Sequence, residues 1–378
     1  MPSVECSFSA ELVRLGWAGE NVEYPSIWLR DNCRCDRDGE SGQRLVDIAD
    51  LPAAPRIRQA SIADGCLQVA WEDEPHTSRF ELAWLHAHAP GRGHGRPELR
   101  ARPWLDGATL DASRDFSWIS LRALENEPSA RLEWLSRLLA DGIAFVREVP
   151  STDQAILRAV TPVGLVLDTN YGRVFDVRSV PQPENLAYSD RGLGLHTDNP
   201  YRDPVPGFQA LHCLIASADG GDSIFADGFA LAGELERTDP PRYAILSRTP
   251  VPFHYRSRDA ELYSEKPLIE IAASGELRAI HYNNRSVAPL RLPACELPAF
   301  YAAYRAFAAL LRVARFHLHT KLQDGDLAVF DNRRILHGRT EFTSALRPRH
   351  LQGCYLARDS VLNATALLRR QLQLRSSL

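Results

Sequence analysis

Between Gly207 and Tyr355 many apolar residues fall into short runs of strand length closed by turn residues, and this spacing limits the fold more than any other feature of the chain. Runs this short, bounded by Gly, Asp and Asn, suit strands in a buried sheet rather than long helices. Gly207–Asp227 holds two apolar strands on either side of Ala218-Asp219-Gly220-Gly221-Asp222, and Ile269–Asn283 reads as a hairpin around Ser274-Gly275. Phe316–Leu322, Leu327–Phe330 and His350–Tyr355 read as further strands, as does Gly142–Val146 upstream. Helical spacing marks Leu121–Leu139, Asp153–Val163, Gly228–Leu246, Leu297–Val313 and Val361–Leu374. The expected fold is mostly β with flanking helices, a distorted barrel or sandwich with the helices packed outside.

Residues 1–90 form a separate, small β-rich unit in this reading. Ile27-Trp28-Leu29-Arg30, Ile57-Arg58 and Leu67-Gln68-Val69-Ala70-Trp71 are its strand-like runs, and Asp64-Gly65 is a hairpin signal between two of them. Ala89–Pro103 collects Gly, Pro and Arg without periodicity, so 91–112 is taken as a linker and 113–378 as the larger domain. A chain of 378 residues buries a sizeable core without disulfides. Its seven cysteines are odd in number and irregular in spacing, which points to reduced thiols and a cytoplasmic location. A net charge of −4 leaves no basic footprint for nucleic acid. No apolar run has the length of a membrane span, and charges interrupt the apolar stretch at the N-terminus, unlike a signal peptide.

His196-Thr197-Asp198 is the sharpest local signal. In a strand, positions i and i+2 share a face, so the imidazole and the carboxylate would converge. Taken alone, the triplet is a metal pair or a strand-end hydrogen bond. About 140 residues later, Phe330-Asp331-Asn332-Arg333-Arg334-Ile335-Leu336-His337-Gly338-Arg339 supplies a second histidine. Two histidines and one carboxylate on one face are the ligand set of non-heme Fe(II) oxygenases. The next run, Arg349-His350-Leu351-Gln352-Gly353-Cys354-Tyr355, offers an arginine whose planar fork suits a keto acid's distal carboxylate.

These runs, with Trp28-Leu29-Arg30-Asp31-Asn32-Cys33, the Gly220-Gly221-Asp222-Ser223 turn and the Asp227-Gly228-Phe229 helix start, resemble the taurine-dioxygenase superfamily of Fe(II)/2-oxoglutarate oxygenases, and within it the γ-butyrobetaine dioxygenase branch. The resemblance implies a double-stranded β-helix (jelly-roll) core and a small N-terminal domain. It makes His196, Asp198 and His337 iron ligands, Arg349 the 2-oxoglutarate clamp and Ser223 a helper hydroxyl. It implies hydroxylation of a small molecule at the expense of O2 and 2-oxoglutarate, with release of succinate and CO2, and a homodimer by analogy. Relatives hold a structural zinc on three cysteines and one histidine. Here Cys33, Cys35 and His76 match, and Asp38 stands where the third cysteine would be, so the site is either kept with a carboxylate ligand or lost.

The branch holds a trimethylammonium group in an aromatic cage by cation–π attraction. Tyr171, Phe175, Tyr188 and Tyr355 match those positions, and Tyr201 is a further candidate wall. Asn185 and Asn284 match asparagines that hold a substrate carboxylate. Asn199 and Arg285 depart from the γ-butyrobetaine pattern and add donors for a three-oxygen anion, so the chain looks nearer to 2-(trimethylamino)ethylphosphonate dioxygenases. The resulting expectation is hydroxylation of that zwitterion at the carbon next to phosphorus, with γ-butyrobetaine hydroxylation to carnitine as the alternative. From other classes stand a non-catalytic binder of a quaternary ammonium ligand and, last, a zinc-based interaction module.

Overall fold

The computed structural model describes residues 4–17, 19–72, 74–91, 100–178, 191–217, 219–342 and 349–376. The chain divides into two compact units, Met1–His94 and Gly95–Leu378. No helix among the described residues is long and apolar enough to cross a membrane.

The smaller unit carries two three-stranded antiparallel sheets: Glu5–Phe8, Leu12–Trp17 and Glu20–Pro25, then Ile57–Ala63, Cys66–Trp71 and Thr77–Glu81. Val13, Leu15, Tyr24, Leu67, Val69, Trp71 and Phe80 alternate inward and form its core. Asp64 and Gly65 both have positive φ, 51° and 71°, as the two central residues of a type I′ hairpin turn require. Ile27–Arg30, read as a strand, lies in the helix Ser26–Asp31. Pro25 precedes it at φ −57°, and Leu29 turns in to the core, so one apolar face suffices where strand alternation was assumed.

The larger unit is a sandwich. One sheet has six strands in the order Trp118–Ser120, Ile143–Arg147, Leu327–Asp331, Phe208–Ile215, His350–Leu356 and Phe175–Arg178. The other has four, in the order Leu193–His196, Ile335–Arg339, Ser223–Asp227 and Leu318–Thr320. The two remain separate sheets among the described residues, so the architecture is an open sandwich rather than a closed barrel. Alternation along each strand explains why the sequence runs read as continuously apolar. Phe145, Leu211, Phe330 and Leu351 of one sheet meet Phe225, Leu318 and Ile335 of the other. On the outer face of the six-stranded sheet, Ala144, Val146, Ala210, Val329 and Leu356 pack with Leu121, Leu124, Trp134, Leu135, Leu138, Ile156 and Leu368 from flanking helices. The outer face of the four-stranded sheet, through Leu195, Ala226 and Leu336, packs with residues of Gly228–Thr238, Pro240–Arg248 and Leu297–Leu310. Strands buried on both faces have no polar side to alternate with.

Three helical readings were too long. Leu121–Leu139 is two helices, Leu121–Asn126 and Pro128–Asp141, and Gly228–Leu246 is two, parted at Asp239 before Pro240; each break precedes a proline, which disfavours helical geometry in the residue before it. Asp153–Val163 contracts to Ile156–Val160.

Candidate active site

His196 closes the strand Leu193–His196 and His337 sits in the middle of Ile335–Arg339. The antiparallel register sets His196 opposite His337, and Phe225 opposite His337 on the other side. Ile335 faces the inter-sheet core and Leu336 faces the outer helices, so His337 points inward again. The two imidazole centroids are 4.3 Å apart. Asp198 lies beyond the strand end, so convergence comes from a turn and not from strand alternation. That turn is held from outside. Thr197 N–H donates to Tyr282 O at 2.8 Å. The fully buried Asn332 accepts from Asp198 N–H at 2.7 Å and donates to Asp198 O at 3.0 Å and Pro206 O at 3.2 Å. The turn carrying Asn332 is tied down in its turn by buried Arg334, which donates to Asp227 Oδ2 at 2.7 Å and to Ala140 O at 2.7 Å.

One ligand atom each from His196, Asp198 and His337 lies within 4.8 Å of the others. His196 Nδ1 is 2.9 Å from Gly194 O and its Nε2 is 3.2 Å from Asp198 Oδ1, so Nε2 is the nitrogen turned towards the other ligand atoms. Burial, reinforced by His196 next to it, pushes the His337 imidazole down to about 3, so it is neutral. Burial works to raise the Asp198 carboxyl, but the His196 side chain against Oδ1 and the Tyr355 hydroxyl on Oδ2 hold it well below the usual carboxylate range. Two imidazoles and one carboxylate are the donor set that a divalent iron requires.

The cluster opens on a cavity of about 470 Å³, within the range of small-molecule sites. Arg349 and Ser223, both buried, line it. Burial lowers the Arg349 guanidinium to about 10, with the Asp222 charge working against that. A buried cation of this kind calls for an anion. Gly221 (φ +71°) makes room for it: a Cβ there would stand 2.9 Å from Arg349 Cδ. The chemistry of the site therefore fits both an iron ion and the distal carboxylate of 2-oxoglutarate.

Tyr171, Phe175, Tyr201 and Tyr355 all line the cavity, with ring centroids 5.1 Å apart for Phe175–Tyr355 and 6.2 Å for Tyr171–Phe175. Gly353 permits the close approach, since a Cβ there would meet the Phe175 ring at 2.5 Å. Asn199 and Arg285 line the same cavity. Asn199 holds a left-handed backbone (φ 55°), a conformation asparagine tolerates better than most residues. Tyr201 O–H donates to Asn199 Oδ1 at 2.6 Å, the Tyr171 and Tyr201 hydroxyls are 2.8 Å apart, and the buried Asn199 Nδ2 has no partner among the described residues. Asn185 and Tyr188 lie outside the described residues.

Two expected ligands stand elsewhere. Asn284 is exposed and is not on the cavity wall; Asn283 is, and its amide is engaged with Thr197 O at 3.2 Å and Arg285 N–H at 3.2 Å. It braces the site instead of offering it a donor. In the smaller unit, Cys33, Cys35 and His76 bring ligand atoms within 4.8 Å of one another, with Cys33 Sγ 3.1 Å from His76 Nε2. Asp38 is not part of that cluster. Its carboxylate accepts from Ser41 N–H at 2.6 Å and Glu40 N–H at 3.1 Å, closing its own exposed loop.

The sequence reading missed Tyr255, His254 and Arg256, which reach the cavity from the hairpin Val251–Arg256/Glu261–Lys266. Tyr255 stacks on Tyr201 at 4.9 Å. Pro252 lies in that run, and a two-stranded ribbon accommodates it. Gln209 and Arg339, also on the wall, carry no sequence signal beyond their strands.

Comparison with known proteins agrees with this geometry. The family described as taurine catabolism dioxygenase TauD, TfdA matches residues 108–355, and the γ-butyrobetaine hydroxylase-like N-terminal family matches 5–86. A γ-butyrobetaine dioxygenase of Pseudomonas sp. (strain AK-1) is 35% identical over 98% of this chain and 97% of its own length. The mitochondrial trimethyllysine dioxygenase of Mus musculus is 29% identical over 97% of this chain and 88% of its own. A solved taurine dioxygenase from Burkholderia xenovorans superposes with a TM-score of 0.50 over 64% of this chain and 88% of its own, at 18% identity, which supports the fold. The chain belongs to the TauD/TfdA dioxygenase family and carries the N-terminal unit of its γ-butyrobetaine hydroxylase-like members.

Proposed function

We propose that the cavity is an Fe(II)- and 2-oxoglutarate-dependent hydroxylation site for a small trimethylammonium-bearing acid, and that this acid is γ-butyrobetaine, converted to carnitine. The observation that carries the reading is one cavity joining the His196/Asp198/His337 cluster, the buried Arg349 and a wall of aromatic rings. His196, Asp198 and His337 would hold the iron, and Arg349, with Ser223 on the neighbouring wall, the 2-oxoglutarate. When bound, iron with 2-oxoglutarate and O2 supplies the oxidising power for hydroxylating a C–H bond, with succinate and CO2 released. The chain's own residues do the rest. The faces of Phe175, Tyr355 and the neighbouring tyrosines attract the cation without a hydrogen bond. The free Asn199 Nδ2–H and the Arg285 guanidinium receive the anionic end. Two anchors fix a length, and that length selects the carbon presented to the metal.

Relatives named γ-butyrobetaine dioxygenase and trimethyllysine dioxygenase support a trimethylammonium substrate and favour the carboxylate over the phosphonate. 2-(Trimethylamino)ethylphosphonate is kept as a second reading because Arg285 lines the cavity and its guanidinium fork suits a three-oxygen anion. In the smaller unit we assign zinc to Cys33, Cys35 and His76, without Asp38. By family analogy the enzyme is read as a cytoplasmic homodimer, which sedimentation of the purified protein decides. The substrate experiment is 2-oxoglutarate consumption with Fe(II), at equal concentrations of the two zwitterions and with neither. Faster turnover of the phosphonate would reverse the order of the two readings, and consumption unaffected by both would end the trimethylammonium assignment.

A further inference from the structure

Tyr355 belongs to two parts of the site at once. Its buried ring stands in the cavity wall 5.1 Å from the Phe175 ring, while its hydroxyl donates to Asp198 Oδ2 at 2.8 Å. The direction of that bond is fixed, because an ionised carboxylate only accepts, and such charge-assisted bonds are the strong ones. Asp198 Oδ1 faces the other way, 3.2 Å from His196 Nε2, and Oδ2 is 3.8 Å from His337 Nε2.

A carboxylate can give a metal one oxygen or two. With two, it would take one of the three positions that a facial triad leaves open. The backbone of Asp198 is already pinned by Asn332, so rotation of the carboxylate is the freedom that remains. Among the described residues, Tyr355 is the non-ligand side chain that restrains it.

We propose that Tyr355 is a positioning residue whose hydroxyl holds Asp198 to a single ligating oxygen, Oδ1, and so keeps one metal position open for the keto acid or dioxygen. The same side chain lends its ring to the substrate wall, so the wall and the metal carboxylate share one rigid body. This inference rests on the metal reading above, and its test separates the two.

The test is titration of the metal-free full-length protein with Co(II), followed by visible absorption, without substrate. Y355F keeps the ring and removes the hydroxyl. It should bind Co(II) about 10–100-fold more weakly, the usual cost of losing a partner of a metal ligand, with altered d–d bands as the freed Asp198 oxygen takes one of the open positions. F175L loosens the same wall and leaves the hydroxyl, and it should match the wild type in both readouts. Wild-type affinity and spectrum in Y355F would overturn the inference alone, as would an equal loss in F175L. A wild type that takes up no Co(II) would overturn the metal reading and this inference with it. A crystal structure of the wild type with Mn(II) decides the point even if Y355F does not fold. One Asp198 oxygen on the metal and the other on Tyr355 supports the inference, and both on the metal refutes it.

Discussion

The chain brings together two clusters of metal-ligating side chains, and they are built in different ways. His196 and His337 stand opposite each other on neighbouring strands far apart in sequence, and Asp198 lies on the turn just after His196; Gly194 O holds His196, and Asn332 and Tyr355 hold Asp198. Cys33, Cys35 and His76 lie at the edge of a small unit, with Cys35 exposed and the expected fourth ligand, Asp38, turned into its own loop. The first cluster is prepared by the fold before any metal arrives. The second has fewer supports, so its metal should stabilise the unit more than the unit prepares the metal site.

Loss of a ligand from the prepared cluster should have the largest effect. H337A should lose more than about 100-fold in Fe(II) affinity, beyond the cost of losing an outer partner, and its turnover with it, while circular dichroism stays that of a folded sandwich. Near-normal turnover would remove His337 from the ligand set. R349L should come next. Losing a charge-assisted bond worth about 1.5–3 kcal/mol should raise the half-saturating 2-oxoglutarate concentration about 10- to 150-fold, with a much smaller change for the substrate. An unchanged requirement for 2-oxoglutarate would move the clamp to another residue.

N332A probes the supports themselves. It leaves the Asp198 N–H and O, and Pro206 O, without their buried partner, and should lower unfolding stability by about 3 kcal/mol, read by denaturant titration. A loss under about 0.5 kcal/mol, the scale of an ordinary surface substitution, would mean the turn holds itself. In the other cluster, metal analysis should find about one zinc per chain. C35S should lose it, and D38N should keep it. Zinc lost from D38N would restore the carboxylate as a ligand and erase part of the contrast between the two clusters.

Much of this was legible in the sequence, for identifiable reasons. Several strands of the sandwich were readable because both faces are buried, which makes runs such as Ile143-Ala144-Phe145-Val146 and Leu327-Ala328-Val329-Phe330 apolar throughout. His196, Asp198, His337 and Arg349 each sit in a motif of distinctive chemistry, and the structure brings all four to one cavity. Strand alternation does not place Asp198: the residue lies in a turn held by Asn332, a long-range partner that no local pattern reveals. Tyr255 was missed because its hairpin, Val251–Arg256 with Glu261–Lys266, lies in a stretch given no element from the sequence. Asn284 and Asp38 were chosen by position along the chain. A one-residue difference decides whether an asparagine faces a cavity or solvent, and a loop can satisfy a carboxylate from its own backbone.

The most direct measurement of the central claim is product analysis after incubating the purified protein with Fe(II), 2-oxoglutarate, O2 and γ-butyrobetaine. The account requires carnitine and succinate in equal amounts, and neither from H337A. Succinate formed without hydroxylated product, or carnitine formed equally by H337A, would contradict it.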